Sequence, residues 1–211
     1  MKRPLSLSLR KNEAISMQKR IEICGGIAAG KTSLAMVLEQ EGFVAVYEKF
    51  DANPFLNDFY VDKMLDNTFE TEITFALLHY NWIKERSMEE RIVCDYALFQ
   101  DWCYGKNNLS EQELSVFENV YKHLNEQIVS PALTIYLQCG VDCLLERIKM
   151  RGRVFEQSIS RSYLEENIQI LEKELNNKEN VLVIESDKYN FISDDKDLIV
   201  KTILEKYNSI K

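Results

Sequence analysis

An apolar run, Arg20–Cys24 (RIEIC), leads directly into Gly25-Gly26-Ile27-Ala28-Ala29-Gly30-Lys31-Thr32, and an apolar helical stretch leaves it. The segment fits G-x-x-x-x-G-K-[ST], and no other feature of the chain restricts its fold so tightly. A loop of this kind needs a strand before it and a helix after it, which commits the chain to strand–helix architecture. The chemistry follows from residue type. Small residues let backbone N–H groups close around phosphate oxygens, and the helix start adds its positive dipole end. Lys31 neutralises charge on the β- and γ-phosphates, Thr32 offers a hydroxyl to Mg²⁺, and Ser33 follows in the same loop. The expected ligands are ATP, as phosphate donor, and Mg²⁺.

Four more short apolar runs follow: Phe43–Tyr47 (FVAVY), Arg91–Asp95 (RIVCD), Ala132–Gln138 (ALTIYLQ) and Asn180–Glu185 (NVLVIE). Their hydrophobicity is nearly continuous instead of alternating, as suits strands buried on both faces of a parallel sheet. Helical patterns lie between them. In Glu111–Ile128, Leu114, Phe117, Val120, Tyr121, Leu124 and Ile128 form one stripe, and Pro131 closes the connection. The stretch Asp195–Tyr207 shows a similar stripe through Val200, Ile203, Leu204 and Tyr207. The pattern predicts a single α/β domain over residues 20–211, of three layers, α/β/α, with a five-stranded parallel sheet carrying the phosphate loop.

Composition narrows the function classes. Acids outnumber bases 34 to 26, a net charge of −8, which argues against a phosphate-backbone surface for nucleic acid. No apolar run approaches the roughly 20 residues of a membrane-spanning helix. Five cysteines, an odd number, read as reduced, mostly buried thiols of a cytoplasmic protein, and two histidines leave no basis for a zinc site. Residues 1–19 differ from the rest: Lys2, Arg3, Arg10, Lys11 and Lys19 stand against Glu13 alone. They read as an extension, either transit-like or upstream of a true start at Met17.

Further candidates fall at strand ends. Asp95 closes an apolar run at the carboxyl edge of the sheet, where it either holds Mg²⁺ or caps a helix over Tyr96–Tyr104. Glu48 follows the second run, and a carboxylate opposite the phosphates can take a proton from an attacking hydroxyl. Arg147, Arg151 and Arg153 form a basic cluster around Gly152, either arginines that close over a transferring phosphoryl group or a solvated helix end. Glu72 and His79 sit two turns apart on a helical stripe, which suggests a small-molecule pocket downstream of the aromatic-rich segment 53–60. Each of the two could equally be a satisfied or solvated side chain.

In these residues the chain resembles the deoxynucleoside kinases, over roughly residues 20–175. The resemblance rests on GGIAAGKTS, on Glu48 with Asn53-Pro54 and Phe59-Tyr60, and on the Arg-x-x-x-Arg-Gly-Arg-x-x-Glu pattern of Arg147 to Glu156, followed by Tyr163-Leu164-Glu165. It implies that Glu48 activates a sugar 5′-hydroxyl, that Tyr60 and Glu156 bind the 3′-hydroxyl, that Asp95 lies near Mg²⁺, that Asp101 lies beside the base, and that the three arginines belong to a lid. It also implies a homodimer. Departures from the family pattern are Lys49 for a proline, Tyr96 for an arginine, Ala97 for a serine, Glu72 for a glutamine and His79 for an arginine.

The expected activity is ATP-dependent phosphorylation of a deoxynucleoside 5′-hydroxyl, with a purine preference. Alternatives are a kinase of another small acceptor, such as a nucleoside monophosphate, and a nucleotide sensor without turnover. An ionised Glu72 only accepts hydrogen bonds, which favours an edge with two donors and hence guanine. A buried, protonated Glu72 would instead imitate the amide.

Overall fold

The computed structural model describes residues 19–56 and 66–210. The basic segment 1–18, with Met17, and the segment 57–65, with Tyr60, lie outside the described residues. Five strands, β1 (Lys19–Gly25), β2 (Val44–Val46), β3 (Arg91–Cys94), β4 (Leu133–Gln138) and β5 (Val181–Glu185), form one sheet in the order β2-β3-β1-β4-β5. All four pairings are parallel.

The reason for the near-continuous hydrophobicity is visible in β1. Ile21 and Ile23 pack with Leu34, Ala35 and Leu38 of α1 (Lys31–Gln40) and with Ile199 and Ile203 of α7 (Lys196–Ser209). Cys24 joins another cluster with Phe99 and Cys103 of α3 (Leu98–Asn108) and Leu171 and Leu175 of α6 (Arg161–Leu175). Helices therefore cover both faces, and every strand position must be apolar or paired. Arg20 and Glu22 are the paired exception: both are buried, with Nε donating to Oε1 at 3.0 Å. Attraction and desolvation roughly offset in such a pair, so its contribution lies in keeping either charge from standing alone.

Local chemistry sets the helix ends. Ser110 starts α4 (Glu111–Glu126) with a capping box: its Oγ accepts from the Glu113 N–H, and the Glu113 carboxylate accepts from the Ser110 N–H. Gly152, at φ +68°, ends α5 (Val141–Arg151) in the left-handed region. Helix α2 spans Thr68–Glu85, and short 3₁₀ turns occupy Phe50–Ala52 and Val154–Ser158. Two expectations need correcting. Helix α3 begins at Leu98, not Tyr96, and Ala97 is its N-cap, so Asp95 caps nothing. Helix α7 runs on to Ser209, burying Tyr207, whose hydroxyl donates to the Lys19 carbonyl at 2.9 Å.

Topology positions the site. From β1 the chain leaves through α1 toward β2, whereas from the neighbouring β3 it leaves through α3 and α4 toward β4. Adjacent strands with diverging connections open a crevice at their carboxyl ends, and that is where open α/β sheets bind ligands. The loop after β1 and Asp95 after β3 both lie there.

Candidate active site

The donor half is built from backbone. Gly25 and Gly30 adopt φ of +147° and +103°, and Ala28 takes +66°. At Gly25 even a methyl group is excluded, since a Cβ would stand 2.7 Å from the Leu137 carbonyl oxygen. Gln100 clamps the same residue with both ends of its side-chain amide: Oε1 accepts from the Gly25 N–H at 3.2 Å and Nε2 donates to the Gly25 carbonyl at 2.9 Å. Lys31 Nζ donates to the carbonyls of Gly25 and Gly26 at 3.0 and 3.1 Å. Burial lowers its pKa, and the carboxylates of Glu48 and Asp95 oppose that shift. Residues Ile27 to Ser33 line a cleft of about 370 Å³.

Across the crevice, Asp95 connects the phosphate loop to Glu48. Its Oδ2 accepts from the Thr32 hydroxyl and its Oδ1 from the Glu48 N–H, each at 2.7 Å. A hydroxyl beside a carboxylate is an all-oxygen donor set, which fits Mg²⁺. Burial lifts the Asp95 pKa against both hydrogen bonds.

The three arginines are differently committed. Arg147 braces the phosphate loop, donating to the Ala29 carbonyl at 3.2 Å and to the Ser186 carbonyl at 2.7 Å. Arg151 and Arg153 both donate to the buried Glu156, at 2.5 and 3.3 Å. Arg153 also lies 4.4 Å above the Phe50 ring. Four residues apart on α5, Arg147 and Arg151 share a helix face, but the contacts divide them between loop and lid.

The acceptor half is a buried polar cluster within aromatic walls. His79 Nδ1 lies 2.9 Å from both Asp101 oxygens, and its Nε2 lies 3.2 Å from Glu48 Oε1. Burial alone would lower the His79 pKa; the Asp101 and Glu48 carboxylates overcome it and push it up to about 10. Tyr96 stacks on the imidazole with ring centres 4.1 Å apart and planes 12° apart. The two departures from the family pattern that seemed independent in sequence are thus in contact. Glu72 Oε1 accepts from Asn108 Nδ2 at 2.6 Å, and Asn108 also donates to the Tyr163 hydroxyl at 3.1 Å. Burial pushes the Glu72 carboxyl up to about 8.

Of the residues singled out from sequence, Glu48, Glu72, His79, Asp95, Asp101, Arg147, Arg151, Arg153 and Glu156 line the same cleft as the phosphate loop. Gly25 and Gly26 stand behind it, and Tyr60 lies outside the described residues. Sequence reasoning missed Gln100, Asn108 and the wall residues Phe75 and Tyr104. Nothing in the spacing marks Gln100 or Asn108, whose partners are 75 and 36 residues away. Phe75 could have been found, because it lies between Glu72 and His79 on α2.

A five-stranded parallel sheet of this order, with a phosphate loop after β1 and arginines over its mouth, defines a P-loop kinase fold. The sequence profile described as deoxynucleoside kinase matches residues 21–209, and the chain belongs to that family. It is a phosphotransferase with an alcohol acceptor, acting on a nucleoside with a nucleoside triphosphate as donor. Among relatives, the deoxyguanosine kinase of Bacillus subtilis (strain 168) is 31% identical over 189 residues, covering 84% of this chain and 91% of that one. The deoxyadenosine kinase of Lactobacillus acidophilus is 34% identical over 149 residues, covering 65% of this chain and 68% of the other. In structure, the deoxyadenosine kinase of M. mycoides with products dCMP and a flexible dCDP superposes with a TM-score of 0.76 at 24% identity, over 90% of this chain and 100% of that one.

Proposed function

We propose that this cleft transfers the γ-phosphoryl group of ATP to the 5′-hydroxyl of a purine deoxynucleoside, with Glu48 as general base. The observation that carries the reading is the hydrogen-bonded series Thr32–Asp95–Glu48, which ties the phosphate side to the backbone of the residue whose carboxylate lines the cleft. Glu48 removes the hydroxyl proton as the oxygen attacks. Lys31, Arg151 and Arg153 stabilise charge spreading over the phosphoryl oxygens. Thr32 and Asp95 would hold Mg²⁺, which supplies further positive charge there when bound. Glu156 and Tyr60 take the sugar 3′-hydroxyl, so Glu156 links substrate to lid through Arg151 and Arg153.

The purine reading rests on the aromatic walls of Phe75 and Tyr104, which suit a flat ring system, with Glu72 at the base end to meet its polar edge. In this reading residues 20–211 act as one catalytic domain. Two copies associate through the acceptor-half helices, where Leu77 and Val116 stand exposed; sedimentation tests this. The protein works in the cytoplasm, where its five cysteines, all free here, stay reduced. Among the described residues no helix is long and apolar enough to cross a membrane.

The test is a panel of the four deoxynucleosides, their ribo-counterparts and their monophosphates with Mg·ATP, with products identified by mass. A deoxyadenosine or deoxyguanosine 5′-monophosphate is expected as the main product; a preference for thymidine or deoxycytidine removes the purine assignment. Glu48→Gln should lose turnover about 100-fold or more with ATP affinity nearly unchanged. Equal loss of both would remove Glu48 as base.

A further inference from the structure

His79 lies between two acids. Asp101 on α3 faces Nδ1 with both oxygens at 2.9 Å, and Glu48, in the loop after β2, faces Nε2 at 3.2 Å. Ionised carboxylates only accept hydrogen bonds, and a neutral imidazole has a single N–H. With both acids ionised, satisfying both neighbours takes the imidazolium, with one proton on each nitrogen. The surroundings keep this ring from moving. It is 3% exposed, Tyr96 stacks on one face, and Phe75 and Trp82 lie 5.6 and 5.7 Å away. The Tyr96 hydroxyl also donates to the His79 carbonyl at 3.4 Å, tying the stacking partner to the same turn of α2. The titratable and charged groups around the ring are Asp101, Glu48, Tyr96 and, two turns earlier on α2, Glu72.

We propose that His79 is a positioning residue for the reaction: doubly protonated and anchored on Asp101, it holds the Glu48 carboxylate in the orientation from which it meets the acceptor hydroxyl, and does not itself read the base. This differs from the reading of the helical stripe, which placed His79 with Glu72 in a small-molecule pocket. It rests on the assignment of Glu48 as base. Glu48 lies two residues past β2, in a loop, and His79 Nε2 on α2 gives its carboxylate a rigid partner that reaches on through Asp101 to α3. Losing the bridge leaves Glu48 free to turn, which costs turnover without costing nucleoside binding.

The experiment combines kinetics and spectroscopy on the full chain. With Mg·ATP and the best nucleoside of the panel, His79→Gln and Asp101→Asn should each lower kcat by about 10–100-fold with nucleoside KM little changed. Combining them should add little to either single loss, because the two residues act as one unit. Glu48→Gln is measured beside them. If it keeps wild-type turnover, the reading of Glu48 as base falls and the proposal with it. If it loses turnover while a folded His79→Gln keeps kcat within about threefold of wild type, or loses only nucleoside KM, the proposal alone is overturned. Should the variants fail to fold, ¹⁵N-histidine spectra of the wild-type enzyme decide. The exposed His123 is the second of two histidines, so His123→Asn assigns the signals. Two protonated ring nitrogens on His79 at pH 7.5 are expected, and a singly protonated ring overturns the proposal.

Discussion

Glu72 is buried on α2 with Asn108 Nδ2 2.6 Å from one oxygen, and burial pushes its carboxyl up to about 8 against that hydrogen bond. At neutral pH the acid is therefore protonated. One oxygen accepts from Asn108 and the group keeps an O–H to donate, which makes it close in hydrogen-bonding capacity to an amide. The expectation of a guanine preference assumed an ionised carboxylate, and burial removes that assumption. Glu72→Gln is then nearly silent at pH 7: the ratio of deoxyguanosine to deoxyadenosine kcat/KM should stay within about threefold, under 1 kcal/mol. A shift of about tenfold or more away from deoxyguanosine would show instead that the carboxylate is charged with substrate bound. Asn108 and Tyr163 are the neighbours whose replacement should alter the base preference more than this substitution does.

At the scale of elements, the phosphate loop and the lid contain glycines with different constraints. Gly25 takes φ +147°, and a Cβ would meet the Leu137 carbonyl of β4 at 2.7 Å. Backbone in β4 cannot give way without disturbing its pairing with β1, so Gly25→Ala should lose triphosphate binding and about 1–3 kcal/mol of stability. Gly152 takes φ +68° with nothing within 4 Å of a Cβ. Gly152→Ala should cost only the left-handed strain, about 1 kcal/mol, with ATP binding kept. Calorimetric titration with ATP and thermal melts separate the two, and equal binding in both variants would contradict the role given to the Leu137 contact. The elements themselves were legible in the sequence. Each apolar run became a strand to within two residues at either end, because a strand covered on both faces tolerates few interior polar positions. Stripes over Glu111–Ile128 and Asp195–Tyr207 became α4 and α7 because a helix lying on a core must repeat its apolar face. Contacts between elements were not legible. Gln100 reaches Gly25 across the neighbouring strand ends, and Glu48, His79 and Asp101 come from a loop and two helices whose mutual placement no local spacing encodes. Tyr96 and His79 read as two separate losses of arginine in the sequence, and only packing brings their rings together.

For the whole molecule, Glu72 and His79 are two buried groups whose raised pKa values span neutrality, and both weigh on how stability responds to pH there. The native state holds the Glu72 proton up to about 8, while the unfolded chain releases it near its ordinary value of 4.5. Between those values the folded state binds more protons, so stability falls as pH rises through that window. His79, with an ordinary value of 6.5, keeps its proton in the fold up to about 10. Its stabilisation is fully present below pH 6.5 and is lost as pH climbs from there toward 10. The windows overlap between 6.5 and 8, and both act in the same direction. Each fully linked proton corresponds to about 1.4 kcal/mol per pH unit, or about 3–5 °C in Tm for a chain of this size. Melting temperature should therefore fall steadily from pH 6.5 to 8.5 at constant ionic strength, most steeply below pH 8. Glu72→Gln should shallow the fall below pH 8 and leave the part above it, which belongs to His79. A wild-type Tm that is level or rising across this range would mean that neither proton is retained by the fold, and an unchanged slope in Glu72→Gln would assign the whole effect elsewhere. The same buried acids and imidazole that line the cleft thereby make the enzyme less stable as pH rises through neutrality.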